Sequence, residues 1–241
     1  MELSHRYNYS DADRSVALAV KVREGTDNTR PGFVWFGGYK SDMDGTKAQV
    51  MVEHGKNLGS STLRFDYSGH GASQGDVVAG SISNWVAETL TVFRHFTTGP
   101  QIILGSSMGS WIALRVVQEL AKLGESDRIC GLLLIAPAHD FTSKLVEPRL
   151  SEEQKQQLET VGRIEEASRY SDQPNVITKQ FLEDGAKNNV LGSDITVNAP
   201  VHILQGMQDP EVPHAHAMEL VTRLPSDNVT ITMVKDGDHR L

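Results

Sequence analysis

Short apolar runs of strand length recur along the chain, at residues 15–22, 32–36, 61–65, 101–104, 130–135, 201–204 and 229–234. Between them, apolar residues repeat at spacings of three and four, as in Ile82, Trp85, Val86, Leu90 and Phe93, and again in Met108, Trp111, Ile112, Val116 and Leu120. Such spacing gathers side chains on one helix face, whereas a short continuous run suits a strand covered on both sides. Strands that alternate with helices pair in parallel, because a parallel neighbour is reached only through a crossover long enough to hold a helix. The expected fold class is therefore α/β: a mostly parallel, doubly wound sheet, with the opening segment as an antiparallel edge. No Pro-, Ser- or charge-rich linker divides the 241 residues, so 1–241 reads as a single domain.

One stretch breaks this rhythm. Residues 140–199 show no convincing strand, carry the charged segment "SEEQKQQLETVGRIEEASRYSD", and far exceed an ordinary connection. Their helical periodicity predicts a helical cap inserted within the domain and running into the next crossover helix.

The segment "GPQIILGSSMGSWIALR", residues 99–115, places a polar knot between an apolar strand and an amphipathic helix. A strand that turns at once into a helix needs a sharp bend, and the residue at its apex is thrust out at the carboxyl end of the sheet. Ser107 holds that apex in the pattern Gly105, Ser106, Ser107, Met108, Gly109. The glycines allow close approach of strand and helix, while the Met108 N–H at the helix start points toward an anion formed at Ser107. A capping serine in a glycine-rich turn is the plainer alternative.

A serine hydroxyl needs a base to take its proton and a carboxylate to orient that base. Asp209 follows the run "VHILQG" and His239 follows "VTITMVKDGD", so each stands just beyond a late strand. The order Ser, Asp, His is that of α/β-hydrolases rather than of the chymotrypsin or subtilisin folds. Asp140, beyond the run at 130–135, competes with Asp209 for the acid. The other histidines fall in helical patterns, a strand, loops or near the terminus, and the His214 and His216 pair is a weak metal motif because i, i+2 positions on a helix diverge. The second oxyanion donor is expected from "WFGGYKSDM", where Gly37 and Gly38 permit close approach and Tyr39 N–H is the candidate. Trp111 is a candidate substrate-lining residue or, equally, plain core. In "RFDYSGHGASQG" the glycine spacing is not that of a dinucleotide site, so Asp66 and its glycines read as a structural loop.

A formal net charge of −8 without a basic cluster argues against a nucleic-acid partner. The lone Cys130 excludes a disulfide frame and a cysteine-based metal site, and suits a reducing compartment. The opening "MELSHRYNYSDADRS" has no signal-peptide pattern and no run is long enough to span a bilayer, so stable membrane insertion is not expected and the cytoplasm is the expected location.

Taken together, "GGYKSDMDGTKA", "RFDYSGHGAS", "GSSMGSW", "QGMQDPEVP" and "DHR" resemble the α/β-hydrolase superfamily. More closely, they resemble the lineage of palmitoyl-protein thioesterases that also act as acyl-glucuronide esterases, with its bacterial relatives. The resemblance covers about residues 32–240 and implies Ser107 as nucleophile, Asp209 as acid and His239 as base. Departures lie at Gly37, where that lineage tends to have proline, at Ser110 in place of a second glycine, and at Pro210 and Glu211 after the acid. The lineage also continues into a final helix over one sheet face, so a chain ending at Leu241 is expected to expose apolar surface there.

The expected function is a serine hydrolase cleaving acyl esters or thioesters through an acyl-enzyme, on a small-molecule or acylated-protein substrate, with neither metal nor organic cofactor. Two alternatives stand beside it: a general short-chain carboxylesterase, and a ligand-binding scaffold with a silent triad. Acyl chain, leaving group and oligomeric state have no signature in the sequence.

Overall fold

Eight strands pair in the order β1-β2-β4-β3-β5-β6-β9-β10. In this computed structural model, which describes residues 1–166, 174–192, 195, 197–225 and 227–241, they are β1 (Glu2–Ser10), β2 (Ser15–Arg23), β3 (Gly32–Phe36), β4 (Thr62–Phe65), β5 (Gln101–Ser106), β6 (Ile129–Ile135), β9 (Val201–Gly206) and β10 (Val229–Val234). The β1/β2 and β2/β4 pairs are antiparallel and the others parallel. The molecule is thus the α/β fold that the alternating pattern predicts, with an antiparallel edge.

Strand β1 lies outside the expected runs. Its side chains are almost all exposed, with only Tyr9 buried, so it carries no apolar run to read. An edge strand packed on one side needs none.

Helix α1 (Thr46–Leu58) lies on one sheet face, where Ala48, Met51 and Val52 pack on Phe33, Trp35, Leu104 and Ile135. Helices α2 (Ile82–Phe96), α3 (Met108–Lys122) and α6 (His214–Arg223) contribute to the larger core on the other face. Beyond α1 the first face carries half-buried Ile102, Leu133 and Leu204 and exposed Val234, alongside His202, Thr230 and Thr232, which β9 and β10 present to solvent. His202 lies within hydrogen-bond distance of both threonine hydroxyls, 3.0 Å from Thr232 Oγ1 and 2.9 Å from Thr230 Oγ1.

Between β6 and β9 the chain forms α4 (Glu152–Val161), an antiparallel pair of β7 (Arg163–Glu166) and β8 (Asn175–Thr178), and α5 (Lys179–Lys187). Part of the expected insertion, residues 167–173, 193, 194 and 196, lies outside the described residues. The two strands were invisible to the periodicity argument because each buries a single apolar side chain, Ile164 and Ile177, among charged or half-exposed neighbours. Those two join Leu150, Leu158 and Leu182 in a satellite cluster of their own.

Candidate active site

Strand β5 ends at Ser106 and α3 begins at Met108, leaving Ser107 alone at the bend with φ 54° and ψ −119°. A side chain held there costs about 1–3 kcal/mol and persists only where its surroundings fix it. They do: Ser107 N–H donates to Ile135 O at 2.8 Å, and Ser107 O accepts from the N–H groups of Ser110 at 3.0 Å and Ala138 at 3.2 Å. The flanking glycines are a steric requirement. A Cβ on Gly105 would stand 2.6 Å from Gly109 O, and one on Gly109 only 2.1 Å from Phe36 O.

At the end of β9, Asp209 closes a tight turn. Its Oδ1 accepts from the N–H groups of Glu211 at 2.9 Å and Val212 at 2.8 Å, so the carboxylate is aimed by its own loop. Beyond β10, the turn carrying His239 is drawn against that loop by Gln208 N–H, which donates to Gly237 O at 2.9 Å. Gly206 has to be glycine for this approach, since a Cβ there would meet Gly237 O at 2.4 Å. Lys47 of α1 adds a bond from Nζ to Arg240 O at 2.5 Å.

These three strand ends bring Ser107, Asp209 and His239 together. His239 Nδ1 lies 2.8 Å from Asp209 Oδ2 and Nε2 lies 3.1 Å from Ser107 Oγ. An ionised carboxylate can only accept, so Nδ1 carries the hydrogen and Nε2 is left to accept from the Ser107 hydroxyl. The Asp209 side chain is fully enclosed while that of His239 is 18% exposed. Burial opposes ionisation of Asp209, but the His239 hydrogen bond and the Val212 and Glu211 N–H groups outweigh it and hold its carboxyl below the ordinary range.

Asp140, the competing acid, stands elsewhere. Its carboxylate accepts from the N–H groups of Val190 at 2.7 Å and Leu191 at 2.9 Å and ties the β6 loop to the segment after α5. On the oxyanion side, a Cβ on Gly38 would lie 3.4 Å from both Ser107 Cβ and Ser106 O, so the peptide carrying Tyr39 N–H runs close beside the bend. Among the described residues, neither Tyr39 N–H nor Met108 N–H is directed at a protein acceptor.

Trp111 requires a correction. It is fully buried, edge-on to Phe141, with its indole N–H donating to Asn188 O at 3.0 Å. Its place on α3 turns it into the core beneath the insertion, so it offers no surface to a substrate. Asp66 accepts from Met43 N–H at 2.7 Å and Ala72 N–H at 2.8 Å, binding its loop to the one after β3.

Gln205 was missed. It is fully buried near the end of β9, and its amide N–H₂ faces Gly206 O at 2.9 Å, Val212 O at 3.0 Å and Asp209 Oδ2 at 3.4 Å. The one signal was a polar residue inside an apolar strand run.

His139 and His216 stack behind the bend with centroids 3.9 Å apart and planes 17° apart, and His216 Nε2 lies 2.7 Å from His139 O. Burial pushes both rings below the ordinary value of 6.5 and keeps them neutral. Unfolding restores that value, so as pH falls below it the unfolded chain binds protons that the folded chain does not, and stability drops. The depressed Asp209 acts in the same direction at lower pH, whereas burial raises the Asp66 and Asp140 carboxyls, which oppose it. The melting temperature is expected to fall between pH 7 and pH 5, and to fall less in His139→Leu. An equal fall in both would remove His139 as the cause.

Residues 45–241 match the family model described as serine aminopeptidase, S33. The chain belongs to this α/β-hydrolase family. The palmitoyl-protein thioesterase ABHD10, mitochondrial, of Pongo abelii is 34% identical over 226 residues, covering 93% of this chain and 71% of that protein. A putative hydrolase from Agrobacterium vitis S4 superposes with a TM-score of 0.95 at 46% identity, over 100% of this chain and 92% of that one. The mouse alpha/beta hydrolase domain-containing protein 10 gives a TM-score of 0.84 at 30% identity, over 98% and 91%. The chain is accordingly a hydrolase by family, and among its described residues no helix is long and apolar enough to cross a membrane.

Proposed function

We propose that the chain is a serine hydrolase of acyl thioesters and esters, with Ser107 as nucleophile, His239 as general base and acid, and Asp209 as the group that orients and stabilises the imidazole. The observation that carries this reading is the unbroken hydrogen-bonded chain from Ser107 Oγ through His239 to Asp209 Oδ2, at 3.1 and 2.8 Å. Ser107 Oγ attacks the carbonyl carbon while Nε2 takes its proton. The oxyanion so formed is held by the N–H groups of Met108 and Tyr39. Collapse of this intermediate breaks the C–S or C–O bond, and Nε2 returns its proton to the leaving sulfur or oxygen. Water then repeats the sequence on the acyl-enzyme, giving up a proton to Nε2, and releases the acid and the free serine.

The thioester substrate class is supported by the relatives, which are palmitoyl-protein thioesterases. The stacking of Phe181 of α5 on Tyr39, in the loop beside the bend, supports the reading of residues 140–199 as a cap within a single domain. We infer a cytoplasmic setting, with which the single Cys130 is compatible, and recovery of the tagged protein in another fraction would overturn it.

A fluorophosphonate probe is expected to label the folded protein on the peptide carrying Ser107. Palmitoyl-CoA and a p-nitrophenyl ester series should both be hydrolysed. Folded protein that takes no label at Ser107 would sink the serine mechanism, and hydrolysis confined to short p-nitrophenyl esters would make it a short-chain carboxylesterase.

A further inference from the structure

The loop bearing Tyr39 N–H is fastened on two sides. Toward the sheet, Gly37 O accepts from Tyr67 Oη at 3.3 Å and Met43 N–H donates to Asp66 Oδ1 at 2.7 Å. Toward the insertion, the Tyr39 ring stacks on Phe181 of α5 with centroids 5.8 Å apart and planes 20° apart, and its hydroxyl donates to Val176 O of β8 at 3.4 Å. The neighbouring Lys40 reaches the same strand and the residue before it: Nζ donates to Pro174 O at 2.9 Å and to Asn175 Oδ1 at 3.1 Å. Phe181 in turn lies 5.8 Å from both Trp85 of α2 and Phe141, so the stack is backed by the core.

Lys40 makes this reach from φ 57°, the left-handed region in which glycine sits without penalty and a long side chain does not. Its own side chain is exposed, so core packing does not explain a lysine at that bend. What a lysine adds over glycine is the ammonium group set on Pro174 O and the Asn175 side chain, where β8 begins. Strain kept beside a reacting centre points to a role there.

We propose that Lys40 and the Tyr39 ring form a latch through which the inserted segment sets the position of Tyr39 N–H, making both positioning residues for the oxyanion. This rests on the serine-hydrolase reading above. An oxyanion donor acts on charge that develops in the transition state, so its misplacement lowers kcat and leaves ground-state binding nearly unchanged. Substrates that press on α5 and β8 are therefore felt at the reacting carbonyl, because those elements hold the donor loop.

Turnover of p-nitrophenyl butyrate, counted per fluorophosphonate-titrated site so that unfolded protein drops out, separates the possibilities. Lys40→Met keeps the aliphatic stem and removes both hydrogen bonds. It is expected to lower kcat by ~10-fold, less than the ~10²- to 10³-fold that follows outright loss of a donor, with KM within about two-fold of the parent. Tyr39→Leu, which removes the stack but not the N–H, should act in the same direction, and Lys40→Arg, which restores a donor, should recover most of the parental rate. The latch is overturned if Lys40→Met turns over like the parent, if its defect lies in KM, or if Lys40→Arg is as impaired as Lys40→Met. Parent protein labelled at Ser107 alongside any of those results leaves the serine mechanism standing, whereas parent protein that takes no label there removes both.

Discussion

Ser107→Ala is expected to lower kcat by about 10⁴- to 10⁶-fold while the protein folds as before. Alanine carries the same Cβ through the bend at φ 54°, so the backbone penalty is unchanged. What is lost is the single oxygen 3.1 Å from His239 Nε2, at a half-buried position where one hydrogen bond contributes about 1 kcal/mol to stability. On the proposed mechanism, the residual rate measures what the Tyr39 and Met108 N–H groups achieve with water as nucleophile. Ser106→Ala is the matching control, because Ser106 ends strand β5 and is buried beside the bend rather than at its apex. Its turnover should stay within about ten-fold of the parent, since it removes no group that reaches the reacting atoms. Steady-state rates of both variants, with melting temperatures alongside, decide the matter: a Ser107→Ala protein that retains a tenth of the parental kcat would place the nucleophile elsewhere.

Much of this architecture is legible in the sequence, and what is not follows a physical pattern. Buried parallel strands such as β5 and β6 must be apolar on both faces, so they stand out as continuous runs. The bend at Ser107 was legible because a close approach of helix and strand admits only glycine, and the Gly105 and Gly109 contacts leave no room for a Cβ. Strands β1, β7 and β8 were not legible, since an edge strand and a small surface hairpin bury one side chain apiece and leave no periodicity to find. Trp111 was ambiguous for another reason. Its spacing with Met108 and Ile112 places it on the packed face of α3, but only the arrival of Asn188 and Phe141 from the insertion shows that nothing is left open above it. Contacts made over long sequence separations, such as Lys40 with Pro174 and Asn175, have no local pattern at all.

The choice of acid rests on geometry of the same long-range kind. Asp209→Asn should lower kcat by about 10⁴-fold, whereas Asp140→Asn should cost less than about ten-fold. In the first variant an amide oxygen can still accept from the Glu211 and Val212 N–H groups, which directs the amide N–H₂ to the position of Oδ2, 2.8 Å from His239 Nδ1. Two donors cannot face each other there, so Nδ1 must accept and the hydrogen moves to Nε2, where the imidazole can no longer take the Ser107 proton. The fold should survive, since the loop keeps its two backbone bonds. Asp140→Asn also keeps one acceptor oxygen but loses one of the bonds from Val190 and Leu191 N–H, a change in how the insertion is tied down rather than in the tautomer of His239. Its effect should therefore fall on stability, by about 1–3 kcal/mol for the buried N–H left without an acceptor, and be read in denaturant midpoints before it is read in rates. Should Asp140→Asn prove the more damaging to kcat, the carboxylate that tunes the imidazole during turnover is Asp140, and the 2.8 Å contact at Asp209 is a resting arrangement only.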